Sequence, residues 1–247
     1  MVFRLNYDTG TLSLGAILGV PVYVHGSFIL LAGGLSYGFW TRGELVLTAI
    51  FIAMLFASIL MHELAHALVA RRYRAIANRI DIYFFGGLVE FWGPRRSVKQ
   101  DCAISLAGPL SNLVLGLVAV GALMLIPDQV PDVTNRYLPT MPPSMLERAL
   151  RATAYVNLAL CVINLLPAFP LDGGRVVYLL AEQRLGRNFA TLLVSSAGMF
   201  FATVSIAVLL VTVLAGFPVW SPPTFSENWR AFQAARQGRG GWGAYAT

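Results

Sequence analysis

The chain has 247 residues, of which 57% are hydrophobic and only 12% are charged. A soluble globular protein carries about 25% charged residues, so this composition excludes a single soluble globule. The net charge of +6 does not indicate nucleic-acid binding, because the basic residues cluster between apolar stretches instead of alternating with aromatic residues on a polar surface.

Long stretches without charge run through the chain. Residues 45 to 70 contain only Glu63, and four other stretches contain no Asp, Glu, Lys or Arg at all: 9 to 41, 102 to 126, 152 to 171 and 188 to 226. Each is long enough to hold the roughly 20 apolar residues that cross a bilayer. The sequence therefore predicts an all-α, polytopic protein of the lipid bilayer.

Two segments predict short β structure associated with the membrane. Residues 11 to 24 are rich in β-branched side chains and are broken by glycines and a proline, which is typical of a strand pair. Residues 79 to 92 carry large side chains on both sides of Gly86-Gly87, a pattern that predicts a hairpin around a glycine turn. Both segments flank predicted membrane helices.

Five apolar segments predict membrane helices, and a sixth, 176 to 185, is interrupted by charged residues, so we expect about six spans. The five are about 25 to 41, 44 to 70, 100 to 126, 150 to 167 and 189 to 217. We expect one domain over 1 to 217 with core spans 44 to 70, 100 to 126 and 150 to 172. The remainder, 218 to 247, lacks helical periodicity over most of its length and predicts a mobile or interfacial tail.

The second span ends with a His62-Glu63-Leu64-Ala65-His66 motif. Two histidines four residues apart lie on one face of a helix, so both imidazoles can reach one metal ion. Glu63 lies about 100° around the helix, near a metal-bound water. The alternative to a metal site is a pair of core histidines beside a polar neighbour. Ionisable groups within membrane spans are costly and usually functional, which favours the metal site.

A catalytic zinc needs a third protein ligand and one open position. Three residues are candidates: His25, Glu90 and Asp172. Asp172 fits best, because Pro167 and Pro170 break the preceding helix and allow an irregular segment to turn the carboxylate inward. The alternative to a ligand role for Asp172 is an ordinary helix exit with a Pro-x-Asp-Gly turn. His25 is better explained as an interfacial hydrogen-bonding residue.

Two asparagines lie seven residues apart on one face of the fourth span. Asn157 and Asn164 are either hydrogen-bonding partners between helices or, in the case of Asn164, a contact to substrate or to an oxyanion. Cys102 and Cys161 both lie in apolar stretches and are expected to be small core residues.

Three motifs together resemble the site-2 protease family of intramembrane zinc metalloproteases. They are His62-Glu63-x-x-His66, Ala107-Gly108-Pro109-x-x-Asn112 and Asn164-x-x-Pro167-x-x-Pro170-x-Asp172-Gly173. The segments Gly19-Val-Pro-Val-Tyr-Val-His25 and Phe85-Gly86-Gly87 are also similar to that family, and the resemblance covers about 11 to 215.

This resemblance implies a six-span protein with a three-span core. It implies one Zn²⁺ per chain held by His62, His66 and Asp172, with Glu63 as catalytic base. It also implies cleavage of peptide bonds within or next to the membrane. The chain is expected to be a compact member without a PDZ or C-terminal regulatory domain, similar to the sporulation branch that processes sigma-factor precursors.

We therefore predict a zinc-dependent intramembrane endopeptidase acting in regulated proteolysis, such as release of a transcription or sigma factor. Its substrates are transmembrane or membrane-tethered proteins, which must unwind locally because a helix hides its carbonyls. An extended substrate is expected to meet Gly86 and Gly87, Asn164, Pro167 and Pro170. A regulatory membrane partner or a homo-oligomer is also compatible with this function.

Two other functions use the same motifs. A catalytically silent membrane scaffold is disfavoured by the presence of every expected ligand together with Glu63. A divalent-metal transporter needs ionisable groups spread through several spans, whereas here they gather at one depth.

The distribution of basic residues predicts the orientation. Seven of the 18 lie between 71 and 99, which is typical of a cytosolic loop. With six spans, this loop, both termini and the active site face the cytosol of a multi-pass protein of the cell membrane.

Overall fold

The computed structural model describes residues 4–6, 10–84, 86–126, 144–214 and 225–242. The elements in this part of the chain are β1 (Arg4–Asn6), β2 (Thr11–Ile17), β3 (Val20–His25), α1 (Ser27–Trp40), α2 (Leu45–Arg72), β4 (Ile76–Tyr83), β5 (Gly86–Trp92), α3 (Val98–Met124), α4 (Met145–Asn164), α5 (Asp172–Leu185), α6 (Arg187–Leu214) and α7 (Phe225–Arg236). Phe85 of the predicted hairpin, the predicted end of the last span at 215 to 217 and parts of the tail lie outside the described residues.

Both predicted β segments join one five-stranded sheet with the order β1-β2-β3-β4-β5. The β2–β3 hairpin turns at Leu18 and Gly19, which both have positive φ and so match the twist of the strands. Strands β3 and β4 are parallel, and the other neighbours are antiparallel. Strand β5 therefore forms one edge of the sheet.

One apolar core joins the sheet to the first two helices. Val22, Ile80 and Ile82 are fully buried, and they pack with side chains of α1 and α2 such as Phe28 and Leu55. Burial of such side chains supplies most of the stabilising free energy of the contact, about 1.5–3 kcal/mol for each large one. The sheet is thereby fixed against α2, and β5 runs beside the end of α2 that carries the histidine motif.

Three helices in the described ranges are long and apolar enough to cross a membrane: α2, α3 and the part of α6 from Arg187 to Ala207. By contrast, α1 and α5 have only 14 residues each. Helix α4 begins with charged residues, including Glu147, Arg148 and Arg151. The predicted count of six spans therefore stays a prediction.

The proline-rich segment after α4 separates two helices. Helix α4 ends at Asn164, and α5 begins at Asp172, so the expected break of the helix before Asp172 is present within the predicted core span from 150 to 172, whose bounds stay a prediction. The break has the expected cause, because Pro167 and Pro170 each remove a backbone donor. The residues between the helices, 165–171, are called the proline loop below.

The expectation of an irregular tail is wrong for residues 225–236, which form α7. Three of its residues are buried: Asn228, Ala231 and Ala235. These side chains are small or polar, so the face that packs is only weakly apolar, whereas the large apolar side chains Phe225 and Trp229 are exposed. Whether the domain ends at 217 stays a prediction.

Candidate metal centre and active site

The two histidines of the motif lie one turn apart on α2 and are both buried. Their Nε2 atoms are 3.0 Å apart, and the ring centroids are separated by 4.7 Å. The helical spacing of four residues is the reason for this convergence. Both imidazoles therefore point at one place between α2, α3 and α5.

Asp172, the first residue of α5, completes the group. Its Oδ2 atom lies 3.1 Å from His62 Nε2 and 3.3 Å from His66 Nε2. The approach depends on the two following glycines, because a Cβ at Gly173 or Gly174 would overlap backbone atoms of the proline loop. In the described part of the chain, these three residues form the group of potential metal ligands.

Oxygen acceptors fix the other nitrogen of each imidazole. His62 Nδ1 lies 2.5 Å from Asn112 Oδ1, and His66 Nδ1 lies 2.6 Å from the Ile104 carbonyl oxygen. A carbonyl oxygen only accepts, so each Nδ1 carries the proton and each neutral ring presents its Nε2 lone pair to the centre. Two nitrogen lone pairs and a carboxylate oxygen then face one another, an arrangement suited to binding a metal cation.

The spacing of these atoms fits zinc. Ligands about 2.0–2.1 Å from a tetrahedral zinc lie about 3.3 Å apart, close to the 3.0–3.3 Å found here. Gly108 on α3 provides the space, because a Cβ at this position would overlap the Nε2 atoms of both histidines. The residues present therefore fit a catalytic zinc with two nitrogen ligands and one oxygen ligand.

A chain of buried amides supports His62 from the side opposite the centre. The Asn112 side chain donates to Asn157 Oδ1 at 2.9 Å, and Asn157 donates to Ser58 Oγ, also at 2.9 Å. Both asparagines are fully buried. Because Ser58 lies one turn before His62 on α2, the chain of bonds closes on the helix that carries the ligand. We call these three residues, Ser58, Asn112 and Asn157, the amide relay.

Glu63 borders a small cavity beside the histidines. The cavity has a volume of about 60 Å³ and is lined by His62 and Glu63 with Gly86, Gly87 and Asn164, among others. This volume accommodates water. A Cβ at Gly87 would overlap the Glu63 carboxylate, so strand β5 lies directly against the predicted base.

The structure places the two alternative ligands, His25 and Glu90, in other surroundings. His25 Nε2 lies 3.5 Å from Asp81 Oδ1 within the sheet. Glu90 lines a different pocket with Arg96 and Arg175. Among the described residues, Pro167 and Pro170 do not line the cavity beside Glu63, although they belong to the loop that leads to Asp172.

The supporting partners were only partly visible in the sequence. Asn112 was part of a recognised motif without an assigned role, and Asn157 was expected to bond between helices, which it does. The sequence does not indicate Ser58 or the Ile104 carbonyl as partners of the site. An amide side chain in an uncharged stretch indicates a buried hydrogen bond. The sequence does not indicate which partner it bonds, because this depends on how the helices are rotated about their axes.

Comparison with known proteins identifies the family. The model of Peptidase family M50 matches residues 50–212, which include the histidine motif, Asn112 and Asp172. The chain belongs to peptidase family M50. The resemblance to the site-2 proteases is thereby confirmed. Zinc is the metal of this family, and the grouping of His62, His66 and Asp172 is compatible with one such site.

Individual relatives agree with this membership. A Synechocystis protein assigned as a zinc metalloprotease is 31% identical over 248 residues, covering 93% of this chain and 60% of the relative. Rip3 of Mycobacterium tuberculosis, assigned likewise, is 32% identical, with 96% and 53% covered. Stage IV sporulation protein FB of Bacillus subtilis is 30% identical over 128 residues, with 51% and 38% covered.

A solved structure has the same fold. The site-2 protease from Methanocaldococcus jannaschii superposes with a TM-score of 0.60 at 23% identity, covering 93% of this chain and 95% of that one. The chain spans a little more than half the length of the first curated relatives it matches. Family and fold, together with the three long apolar helices found among the described residues, make the chain an integral membrane protein.

Proposed function

We propose that the chain is a zinc-dependent intramembrane endopeptidase. The observation that carries this proposal is the convergence of His62 Nε2, His66 Nε2 and Asp172 Oδ2 to within 3.0–3.3 Å. The buried Glu63 carboxylate borders the adjoining cavity. Two relatives are named as zinc metalloproteases, which supports the same activity for this chain.

The proposed ligands are His62, His66 and Asp172, and the proposed base is Glu63. Zinc, when bound, supplies a Lewis acid that acidifies water and polarises the scissile carbonyl. Glu63 is adjacent to His62 but is turned to the cavity, so its carboxylate takes a proton from the attacking water. As the C–N bond breaks, Glu63 passes that proton to the leaving amine nitrogen. The water oxygen remains on the new carboxylate.

The proposed substrate is an unwound segment of a transmembrane or membrane-tethered protein. Strand β5 is an edge strand, and its Gly87 lies against Glu63, so an extended chain added to this edge passes the base. Asn164 lines the same cavity and is proposed to contact substrate. Pro167 and Pro170 are proposed to shape the side of the substrate site opposite β5, because they fix the course of the proline loop.

Regulated release of a membrane-tethered transcription or sigma factor is the proposed context, with a regulatory membrane partner or a second copy of the chain as candidate partners. Similarity to Stage IV sporulation protein FB supports this context. We also propose that the active site and both termini face the cytosol and that residues 1 to 217 form the protease domain.

Metal analysis combined with a cleavage assay tests the function. Purified protein is expected to contain one zinc per chain and to cut a membrane-tethered candidate substrate in detergent. The variant Glu63→Gln is expected to keep zinc but to lose about 10²–10⁴-fold in cleavage rate, because the amide cannot take a proton.

Glu182→Gln on α5 is the matched control, since Glu182 pairs with Arg187 away from the site. It should cleave at the wild-type rate. Normal cleavage by zinc-loaded Glu63→Gln would contradict the mechanism, whereas zinc that exchanges without any cleavage would favour a transporter.

A further inference from the structure

The C-terminal helix α7 makes a paired contact with the proline loop. The Phe169 backbone N–H donates to Asn228 Oδ1 at 3.2 Å, and Asn228 Nδ2 donates to the Phe169 carbonyl oxygen at 3.0 Å. One side-chain amide therefore bonds both backbone groups of one residue, as a neighbouring strand would. Phe169 lies three residues before Asp172.

The contact is buried and specifically accommodated. Asn228 and Phe169 are both fully buried. On α6, a Cβ at Gly198 would overlap the Asn228 side-chain amide, so the glycine provides the space that the amide occupies. Buried amides with satisfied hydrogen bonds are costly to disturb, since each separated group loses its partner without gaining water.

Other contacts hold the same segment in place. The Phe169 ring packs on Trp242 with a centroid distance of 5.0 Å. The Gly240 backbone N–H donates to Asn188 Oδ1 at 2.9 Å, which ties the residues after α7 to the start of α6. Trp242 also packs on Tyr178 of α5, with a centroid distance of 5.8 Å, so residues 225–242 cover both the proline loop and the first turns of α5.

The position of the proline loop determines the position of Asp172, because the two are joined by short contacts. The Leu171 N–H donates to the Ala168 carbonyl oxygen at 2.8 Å, which closes a tight turn around Phe169. On the α5 side, Gly173 and Gly174 touch the backbone of residues 165 and 168. A shift of Phe169 must therefore move the Asp172 carboxylate relative to the two imidazoles.

We propose that Asn228 is a positioning residue of the metal site, which holds the proline loop so that Asp172 meets His62 and His66. The inference rests on the proposed function, because it assigns Asp172 as a ligand. It gives α7, outside the segment matched by the family model, a role in metal retention.

The test measures the loop and the metal separately in the full chain purified in detergent. In Asn228→Ala, backbone amides of 165–171 are expected to exchange hydrogen about tenfold faster, because the buried pairing is lost. Zinc transfer to a fluorescent chelator is expected to be about 10- to 100-fold faster, the usual effect of removing support for a ligand. Cleavage should fall mainly in kcat.

Gly198→Ala is the second variant, and it reaches the same contact from α6. Alanine has the higher helix propensity, so the helix itself is not weakened, but the added methyl group displaces the Asn228 amide. It is expected to reproduce both changes, and it decides the question if Asn228→Ala does not fold.

Asn188→Ala is the matched control, because it removes an amide contact to the same C-terminal segment without touching the loop. It should leave zinc release within about twofold of wild type, since a peripheral hydrogen bond contributes little. Faster loop exchange with unchanged zinc release, or unchanged loop exchange, would overturn the inference. Absence of zinc from the wild-type protein would instead refute the proposed function.

Discussion

At the scale of single residues, the third ligand distinguishes the proposed site from its alternatives. Asp172→Ala is expected to lower zinc content to well below one per chain and to end activity, because two imidazoles alone bind zinc weakly. Zinc content measured by elemental analysis after gel filtration checks this. His25→Ala and Glu90→Gln are the controls, since both side chains lie outside the ligand group.

Full zinc occupancy in Asp172→Ala, with loss in either control, would reassign the ligand. The retention of zinc in both controls would also separate this site from that of soluble metalloproteases, which take a glutamate from farther along the chain. The two outcomes therefore decide both the residue and the type of site.

The amide relay provides a second prediction at this scale. Asn112→Leu removes the acceptor for His62 Nδ1, so zinc affinity is expected to fall about 10- to 100-fold in chelator competition. Asn157→Leu should have a smaller effect on affinity. It should still lower the free energy of unfolding by about 1–3 kcal/mol, because it leaves buried polar groups unpaired.

Ser111→Ala is the control for Asn112→Leu. Ser111 is the neighbouring residue, but its hydroxyl donates to the Gly108 carbonyl oxygen of its own helix. Zinc affinity in this control should match wild type. Equal affinity in wild type and Asn112→Leu would show that the relay does not orient the ligand.

The residues of the site differ in how far the sequence predicts them. The spacing of His62 and His66 and the prolines before Asp172 have local consequences that can be worked out without a structure. The bonds of Asn157 to Asn112 and Ser58 depend on the rotation of three helices about their axes. No local pattern specifies that rotation, so the relay required the structure.

At the scale of elements, two glycines from different elements leave space for different parts of the same site. Gly108→Ala on α3 is expected to abolish zinc binding, because its methyl group would occupy the space between the imidazoles. Gly87→Ala on β5 is expected to keep zinc but to lose at least about tenfold in kcat/KM, because its methyl group displaces the Glu63 carboxylate.

Gly121→Ala is the control for both, since a Cβ at this position on α3 would have no neighbour within 4 Å. Zinc content and cleavage are measured on all three variants. Loss of zinc in Gly87→Ala, or its retention in Gly108→Ala, would contradict the arrangement in which α3 lies against the metal ligands and β5 lies against Glu63.

Among the elements, those with strong local signals were predicted and α7 was not. The strand pairs and the apolar helices follow from alternation, turn glycines and length. Helix α7 packs through Asn228, Ala231 and Ala235, which have helical spacing but little hydrophobicity. Because the large apolar residues of α7, such as Phe225 and Trp229, are exposed, the apolar pattern does not indicate the face that covers the loop before Asp172.

At the scale of the whole molecule, orientation can be tested directly. Six spans place 12 basic residues on the cytosolic side and 6 outside, as the positive-inside bias requires. In a background without the two native cysteines, Arg95→Cys and Arg239→Cys are expected to react with an impermeant thiol reagent only from the cytosolic side. Arg42→Cys should react only from outside.

These three positions are suitable because their side chains are exposed. Labelling is compared in intact cells and in inverted vesicles. Reaction of the Arg239→Cys variant only from outside would contradict the six-span arrangement and would require an odd number of crossings.

The amide relay also has a mechanical consequence. Its directional bonds connect α2, α3 and α4, and sliding any one of these helices by a turn of about 5.4 Å would leave amides unpaired in hydrocarbon. The contact of α1 with α2 involves apolar side chains such as Phe28, Leu31 and Phe51, which can re-form after a displacement. Directional bonds thus hold α2, α3 and α4 in register, whereas α1 packs on α2 through apolar contacts, which fix no register.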